Sequence, residues 1–243
     1  MRLDQAVAAR FPHLSRRQAR ALIAGRRVLV NERLVAIASR EVRENDRVVV
    51  VDDKPDLQIL RLTDSFVAVN KPAGVPTQPT RDRKVRSLEE LLRAQFKSIY
   101  LVHRLDTGTS GVVVFARSRD AAANLSHLFS SHEIRKTYLA RVAGTIDDVI
   151  TVDTPIGSKE ARTTIRPRAG GIVEAEIYTG RTHQIRIHLA SIGHPVVGDR
   201  RYGGPRAPRL MLHAWKVEHV ALGTIEAPPP DDLIRSTAPW KPT

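Results

Sequence analysis

The chain has 243 residues, enough for one sizeable domain and a small one, and its 39 lysines and arginines against 26 aspartates and glutamates leave a formal charge of +13. That excess points to a polyanionic partner, because clustered cations gain by displacing condensed counterions, and the absence of cysteine excludes disulfides, a thiol nucleophile and cysteine-ligated zinc. Apolar runs such as "VVVV" and "GVVVFA" fall far short of the roughly 18 residues of a spanning helix, and the start "MRLDQAVAAR" lacks a secretory core, so no membrane partner and a cytoplasmic location are expected.

Residues 1 to 33 hold eight arginines against Asp4 and Glu32, a net +6. "LSRRQARALIAG" predicts a short helix with Ser15 as N-cap, Gln18 as its capping-box partner and Gly25 as terminator. Ala19, Leu22 and Ile23 form its core stripe, and Arg16, Arg17 and Arg20 share the opposite surface. "RRVLVNERLV" predicts two short runs around an Asn-Glu-Arg turn, and "VRENDRVVVV" a turn and a strand. A solvated helix face is the plain alternative, but the charge density of the module favours RNA or DNA phosphates. With Arg26 and Arg27, the three helix arginines are the candidate RNA-binding residues. "DDKPDLQ" reads as a polar linker, giving domains at 1–51 and 60–243 joined by 52–59.

Further along, "SFVAVNKPAGVP" predicts a strand entering a Pro/Gly loop, "SLEELLRAQF" a helix capped by Ser87 and Glu90, and "IYLVHRLDTGTSGVVVFARS" a strand, loop and strand. "RDAAANLSHLFSSH" follows as a helix and "RKTYLARVAG" as a strand. "GGIVEAEIYTGRTHQIRIHLASIGHP" reads as strand, turn and helix, with Arg186 on a helix bounded by Thr182 and Gly193 and held by Ile185, Leu189 and Ile192. "RLMLHAWKVEHV" is a last strand. The order does not alternate as βαβ units would, so the fold class is α+β with a mixed, mainly antiparallel sheet.

Common catalytic templates fail. Around Ser110 a nucleophile elbow needs glycine at position 112, which is valine. No phosphate-binding Gly-x-x-x-x-Gly-Lys-Ser/Thr exists, and Lys71 sits in "NKPAG". The nine histidines lack His-Glu-x-x-His spacing, so no metal is expected, and most read as satisfied core or surface groups. Asp106, Tyr138 and Arg186 remain. Singly they read as an Asx-turn residue, a core aromatic and a helix-surface cation.

Residues 1 to 51, with their "LSR…A…LI…G…V.VN" core, resemble the RNA-binding domain named after ribosomal protein S-four. "VNKPAG", "HRLDTGTSG", "KTYLARVAG", "TGRTHQIRIHL" and "GHPVVGDRRYGG…LMLHA", in that order, resemble the motif series of the RluA-type pseudouridine synthases from Phe66 to Ala214. The resemblance implies a cofactor-free isomerase that breaks the N-glycosidic bond of a uridine, turns the base and joins it through C5. Asp106 would attack the anomeric carbon or assist removal of a sugar proton, Arg186 would hold it ionised, and Tyr138 would stack on the base and assist proton loss from C5. Arg104 would fill the space left by the flipped base, His103 would order that loop, and both, with Lys71, Arg181 and Leu212, would form the substrate-binding pocket. Large-subunit ribosomal RNA is the expected partner, with the protein a monomer. A non-catalytic RNA-binding or ribosome-assembly factor on the same scaffold is the alternative. Two stretches depart from the family pattern: the hairpin region between Pro155 and Gly180 is short, and "VPTQPTRDRK" replaces a histidine-bearing loop.

Overall fold

The computed structural model describes residues 1–24, 27–50, 57–80 and 85–234. The chain divides into two compact units, Met1–Asp56 and Leu57–Thr243. Within the predicted linker, Leu57 is buried in the second unit's core and Ile59 opens a strand there, while residues 52–56 lie outside the described residues. The second unit therefore begins earlier than the polar composition suggested, because Leu57 has an apolar site to fill.

The first unit packs α1 (Leu3–Arg10) and α2 (Arg16–Ala24) on an antiparallel sheet of β1 (Val28–Val30), β2 (Arg33–Val35) and β3 (Val48–Val50), in the order β2-β1-β3. Ser15 and Gln18 form the predicted capping box: the Gln18 amide donates to Ser15 Oγ at 3.3 Å, and the Ser15 amide donates to Gln18 Oε1 at 2.8 Å. Gly25, the predicted terminator, lies outside the described residues. Ala19 and Ile23 are fully buried, with Leu22 packed beside them. Asn31 and Glu32, both at positive φ, make the tight β1–β2 turn whose twist matches its strands.

The expected cationic face of α2 is more tethered than its sequence suggests. Asp4 is fully buried and accepts from Arg20 Nε at 2.7 Å, Arg16 Nε at 3.1 Å and Arg2 Nε at 3.2 Å. Arg16 and Arg20 thus each commit one donor to the fold while their side chains stay about half exposed, at 47% and 53%. Arg17 is exposed, and Arg26 lies outside the described residues.

The Arg20 hydrogen bond, with Arg16 and Arg2 beside it, holds the Asp4 carboxyl at about 2, below its ordinary 3.8. A carboxylate depressed on folding stabilises the folded state above its unfolded pKa and loses that contribution as pH falls through the folded value. Acid titration of the first unit should therefore show stability lost between about pH 4 and pH 2, a loss that Asp4→Asn removes; an unchanged acid transition in the variant would contradict it.

The second unit is built on a ten-stranded sheet whose main path is β4-β5-β7-β12-β8-β11-β10-β9. These strands are β4 (Ile59–Leu62), β5 (Phe66–Lys71), β7 (Ser110–Ala116), β8 (Arg135–Arg141), β9 (Ile150–Val152), β10 (Thr163–Arg168), β11 (Ile172–Ile177) and β12 (Leu212–His219). Beside that path, β6 (Tyr100–Leu101) pairs with β7, and β13 (Gly223–Glu226) with β12. Among the described residues only the β7–β12 pairing is parallel, so the sheet is mixed and mainly antiparallel, as expected.

The continuous apolar run of β7 reflects burial on both faces. Val113 and Phe115 pack with α3 (Leu88–Arg93), whereas Val112, Val114 and Ala116 pack with α4 (Arg119–Ser130). A third cluster joins β8, β10 and β11 to α5 (Gln184–Ser191) through Ile165, Ala175, Ile177, Ile185 and Leu189. A short helix, α6 (Asp231–Ile234), closes the described chain. The short region between Pro155 and Gly180 holds the β10–β11 hairpin, paired from Thr163↔Ile177 to Arg168↔Ile172.

One row of the sheet runs Lys71–Gly111–Ala214–Tyr138–Ala175, bringing five distant sequence segments into register. Gly111 makes the β7–β12 approach possible: its φ is +114°, and a Cβ there would lie 2.1 Å from the Ala214 carbonyl oxygen. Gly111→Ala should destabilise the unit by about 3 kcal/mol or more through strain and overpacking, measured by urea unfolding; a change under about 1 kcal/mol would show that the strands can separate without cost.

Candidate active site

Asp106 does occupy a turn. Its carbonyl accepts from the Thr109 amide at 3.1 Å, and the chain then enters β7. The turn is pinned from several sides. Thr77 Oγ1 donates to the Leu105 carbonyl at 2.9 Å and accepts from its amide at 3.1 Å, so the "VPTQPT" stretch that departs from the family pattern clamps this loop. Lys71 Nζ donates to the carbonyls of Thr107, Val75 and Pro72. On the other side, His103 Nε2 accepts from the Val114 amide, and its ring stacks on Phe129 at 4.0 Å.

Two of the predicted pocket residues are thereby reassigned. Lys71 is fully buried, with three backbone carbonyls as partners, and does not line the pocket. Burial pushes its ammonium down to about 7 against the opposing pull of Asp106. His103 likewise faces Phe129 rather than the pocket. Burial, with Lys136 nearby, lowers it to about 3, so the ring is neutral and accepts a hydrogen bond. Its predicted loop-ordering role agrees with this placement; substrate contact does not.

Arg186 reaches Asp106 from α5, with NH1 3.0 Å from Oδ2. The rest of its guanidinium is held by Asp199, through Nε to Oδ2 at 2.6 Å and NH2 to Oδ1 at 2.8 Å. This fork fixes the guanidinium plane and hence the direction of the bond to Asp106. Asp199 is 1% exposed and also accepts from the Arg201 and Tyr202 amides. Burial alone would raise its pKa, but the Arg186 hydrogen bonds and charge hold it below the ordinary value.

His183 precedes α5 in a left-handed conformation, with φ 59°, and makes no side-chain cap. The start of α5 is tied down by Gln184 instead, whose Oε1 accepts from Thr179 Oγ1 and the Arg181 amide. The helix predicted between Thr182 and Gly193 thus runs from Gln184 to Ser191. His183 Nδ1 lies 2.9 Å from the Tyr202 hydroxyl, and Nε2 is 3.6 Å from Asp106 Oδ2. Burial lowers its pKa, opposed by the Asp106 and Asp199 charges and assisted by those of Arg186 and Arg201.

Asp106, Tyr138, Arg186, Arg104, Arg181 and Leu212 line one pocket, as the motif series implies. A second hollow of about 480 Å³ opens beside it, sharing Arg104, Asp106, His183 and Arg186 and reaching the 76–80 loop. Arg104 is exposed and makes no hydrogen bond or ion pair among the described residues. Tyr138 sits between two core clusters, and burial together with the Asp106 charge pushes its hydroxyl up, so it is a phenol at neutral pH. Among the described residues no cluster of three or more His, Cys, Asp or Glu could hold a metal ion. His188 and His213 are buried and hydrogen-bonded, to Thr163 and Thr154 and to Ser110 and Ala227 respectively.

The sequence reading missed Asp199, His183, Tyr202 and Thr77. A signal existed for Asp199 in "GDRRYGG": Gly198 and Gly204 have backbone where a Cβ would stand, 1.9 Å from Arg209 O and 2.0 Å from Val196 O. A carboxylate framed by such glycines is held in place by backbone on both sides.

Comparison with known proteins agrees with this geometry. Residues 65–191 match the RNA pseudouridylate synthase family model, and residues 1–48 match the S4 domain. The "Uncharacterized RNA pseudouridine synthase YhcT" of Bacillus subtilis is 34% identical over 82% of this chain and 74% of its own length. The "Ribosomal large subunit pseudouridine synthase D" of Nitrosomonas europaea is 32% identical over 96% of this chain and 82% of its own. The "Dual-specificity RNA pseudouridine synthase RluA" of Escherichia coli is 33% identical over 72% and 94%. The solved structure of human RNA Pseudouridylate Synthase Domain Containing 1 superposes with a TM-score of 0.63 at 27% identity, covering 78% of this chain and 89% of that one. With a carboxylate, a guanidinium and a phenol converging in one pocket of that fold, the chain belongs to the RluA-type RNA pseudouridine synthases, isomerases acting on RNA, and carries an S4 domain at its N-terminus.

Proposed function

We propose that this protein isomerises uridine in large-subunit ribosomal RNA, with Asp106 as the essential carboxylate. The observation that carries the catalytic assignment is the Asp106–Arg186–Asp199 chain of hydrogen bonds at the pocket wall. The ribosomal assignment is supported by the full-length similarity to a relative named for the large subunit. No net redox, hydrolysis or phosphate transfer occurs, so one carboxylate suffices as nucleophile at the anomeric carbon or as base toward a sugar proton. Arg186 keeps it ionised and aimed. The uridine must leave its stack to reach Asp106, which costs a few kcal/mol, and the exposed Arg104 is suited to stack in the vacated space.

Tyr138 gives the base a stacking surface. Because its hydroxyl is held protonated, it can take the C5 proton only as it releases its own to solvent. Tyr138→Phe should keep RNA affinity and lower turnover about 100-fold or more, whereas Tyr138→Ala should also weaken binding by about 1–3 kcal/mol. Equal turnover in Tyr138→Phe and wild type would remove the hydroxyl from the reaction.

The deciding experiment is pseudouridine mapping of total RNA from cells lacking the protein, restored with wild type or with Asp106→Asn. Large-subunit sites should return only with the wild type. Sites confined to transfer RNA would overturn the ribosomal assignment, and restoration by both would overturn the role of Asp106.

A further inference from the structure

Beyond the groups that face the uridine, Arg181 of the pocket lining has two further donor side chains beside it, Lys136 and His132. Lys136 lies two residues before Tyr138 on β8, hence on the same face of the strand, and is paired with Ile177, which lines the pocket. Its side chain is 6% exposed, and its ammonium has one hydrogen-bond partner among the described residues, the Tyr178 carbonyl. Arg181 lines the pocket and donates through Nε to the Glu160 carbonyl and through NH2 to His132 Nε2 at 3.5 Å. A guanidinium cannot accept, so His132 Nε2 is the acceptor and its Nδ1 carries the proton. That Nδ1 is buried and has no hydrogen-bond partner. His132 is also held in a left-handed backbone conformation, φ 65°.

The cluster is therefore rich in donors. No carboxylate pairs with any of the three among the described residues, and their partners are backbone carbonyls and one another. Burial and the Arg181 charge lower Lys136 to about 8, and burial, then Arg181 and Lys136, lower His132, so the cations repel without a counter-charge. A buried ammonium with unused donors, beside a guanidinium and an unpaired N–H, is complementary to an anion with several acceptor oxygens.

We propose that Lys136, His132 and Arg181 form a seat for an RNA phosphate, the phosphodiester adjoining the uridine that enters the pocket. The inference rests on the reading of that pocket as a uridine site. The spacing suits it: two residues along a strand separate Lys136 from Tyr138 by about 7 Å, the scale of the sugar that parts a base from its phosphate. Such a seat grips the backbone without reading sequence, leaving the choice of base to the pocket.

The test uses binding without turnover. The full chain is titrated with uridine, uridine 3′-monophosphate and uridine 5′-monophosphate at fixed salt. One of the two nucleotides should bind at least about tenfold more tightly than uridine, the effect of a charge-assisted contact. That preference should vanish in Arg181→Met and in Lys136→Met, and survive in Arg119→Met, an exposed position on α4. Arg181 is only partly buried, so its variant still decides the matter if Lys136→Met fails to fold. No nucleotide preference in the wild type, or a preference unchanged in the Arg181 variant, overturns the proposal. Failure of the uridine reading looks different: the nucleotide preference persists while RNA mapping finds no site that depends on the protein.

Discussion

Asp106→Asn should lower pseudouridine formation by at least about 1,000-fold, since it removes the group on which either proposed route through the reaction depends. The substitution is nearly isosteric, and the side chain is 29% exposed, so folding should be unaffected. Arg186 NH1 can still donate to the amide oxygen. RNA affinity, measured by filter binding at fixed ionic strength, should therefore remain close to wild type while turnover disappears. A parallel loss of affinity would mean that the Asp106 carboxylate shapes the loop, which is not expected, since the turn to Thr109 is held by the backbone carbonyl that the substitution leaves in place.

Asp199→Ala should have the second-largest effect, on stability and activity together. It leaves the Arg186 guanidinium, only 12% exposed, without its bidentate partner. Breaking a buried pair on one side typically costs about 3–5 kcal/mol, and misplacing the group that orients the carboxylate proposed to react costs on the order of 100-fold in rate. Asp199→Asn should fall between the two, because its amide accepts one of the two Arg186 hydrogen bonds and places an N–H against the other. Urea unfolding and single-turnover assays on the same preparations separate the effects. Full activity in Asp199→Ala would show that Asp106 alone suffices to place Arg186.

The two carboxylates at Arg186 differ in how visible they are in the chain. Asp106 is announced by its neighbours, an His-Arg-Leu ahead of it and a Gly-Thr-Ser-Gly behind, and its loop is local enough to be read from sequence. Asp199 looks like one acidic residue in a basic, glycine-rich turn. Its role comes from the packing of that turn against the Val196 and Arg209 backbone, which brings it to α5. Lys71 fails in the opposite way. Its motif marks it as part of the pocket, yet its ammonium turns inward to backbone carbonyls and holds the loop that bears Asp106. The arginines of α2 were legible as a face by helical spacing, but their partner, Asp4, lies a helix away.

By itself the sequence determined the local elements: capping boxes at Ser15 and Ser87, the apolar run of β7, the Asn-Glu hairpin and the turn at Asp106 all follow from short-range chemistry. It also determined the family, through motifs kept in order along the chain. Only the tertiary structure decided which of the motif residues meet. The parallel pairing of β7 with β12 at Gly111 and Ala214 aligns the strand that follows Asp106's turn with Tyr138's strand, and α5 then carries Arg186 onto Asp106. A side chain's partners depend on strand register and on which residues are buried, and those are settled by packing among segments far apart in the chain.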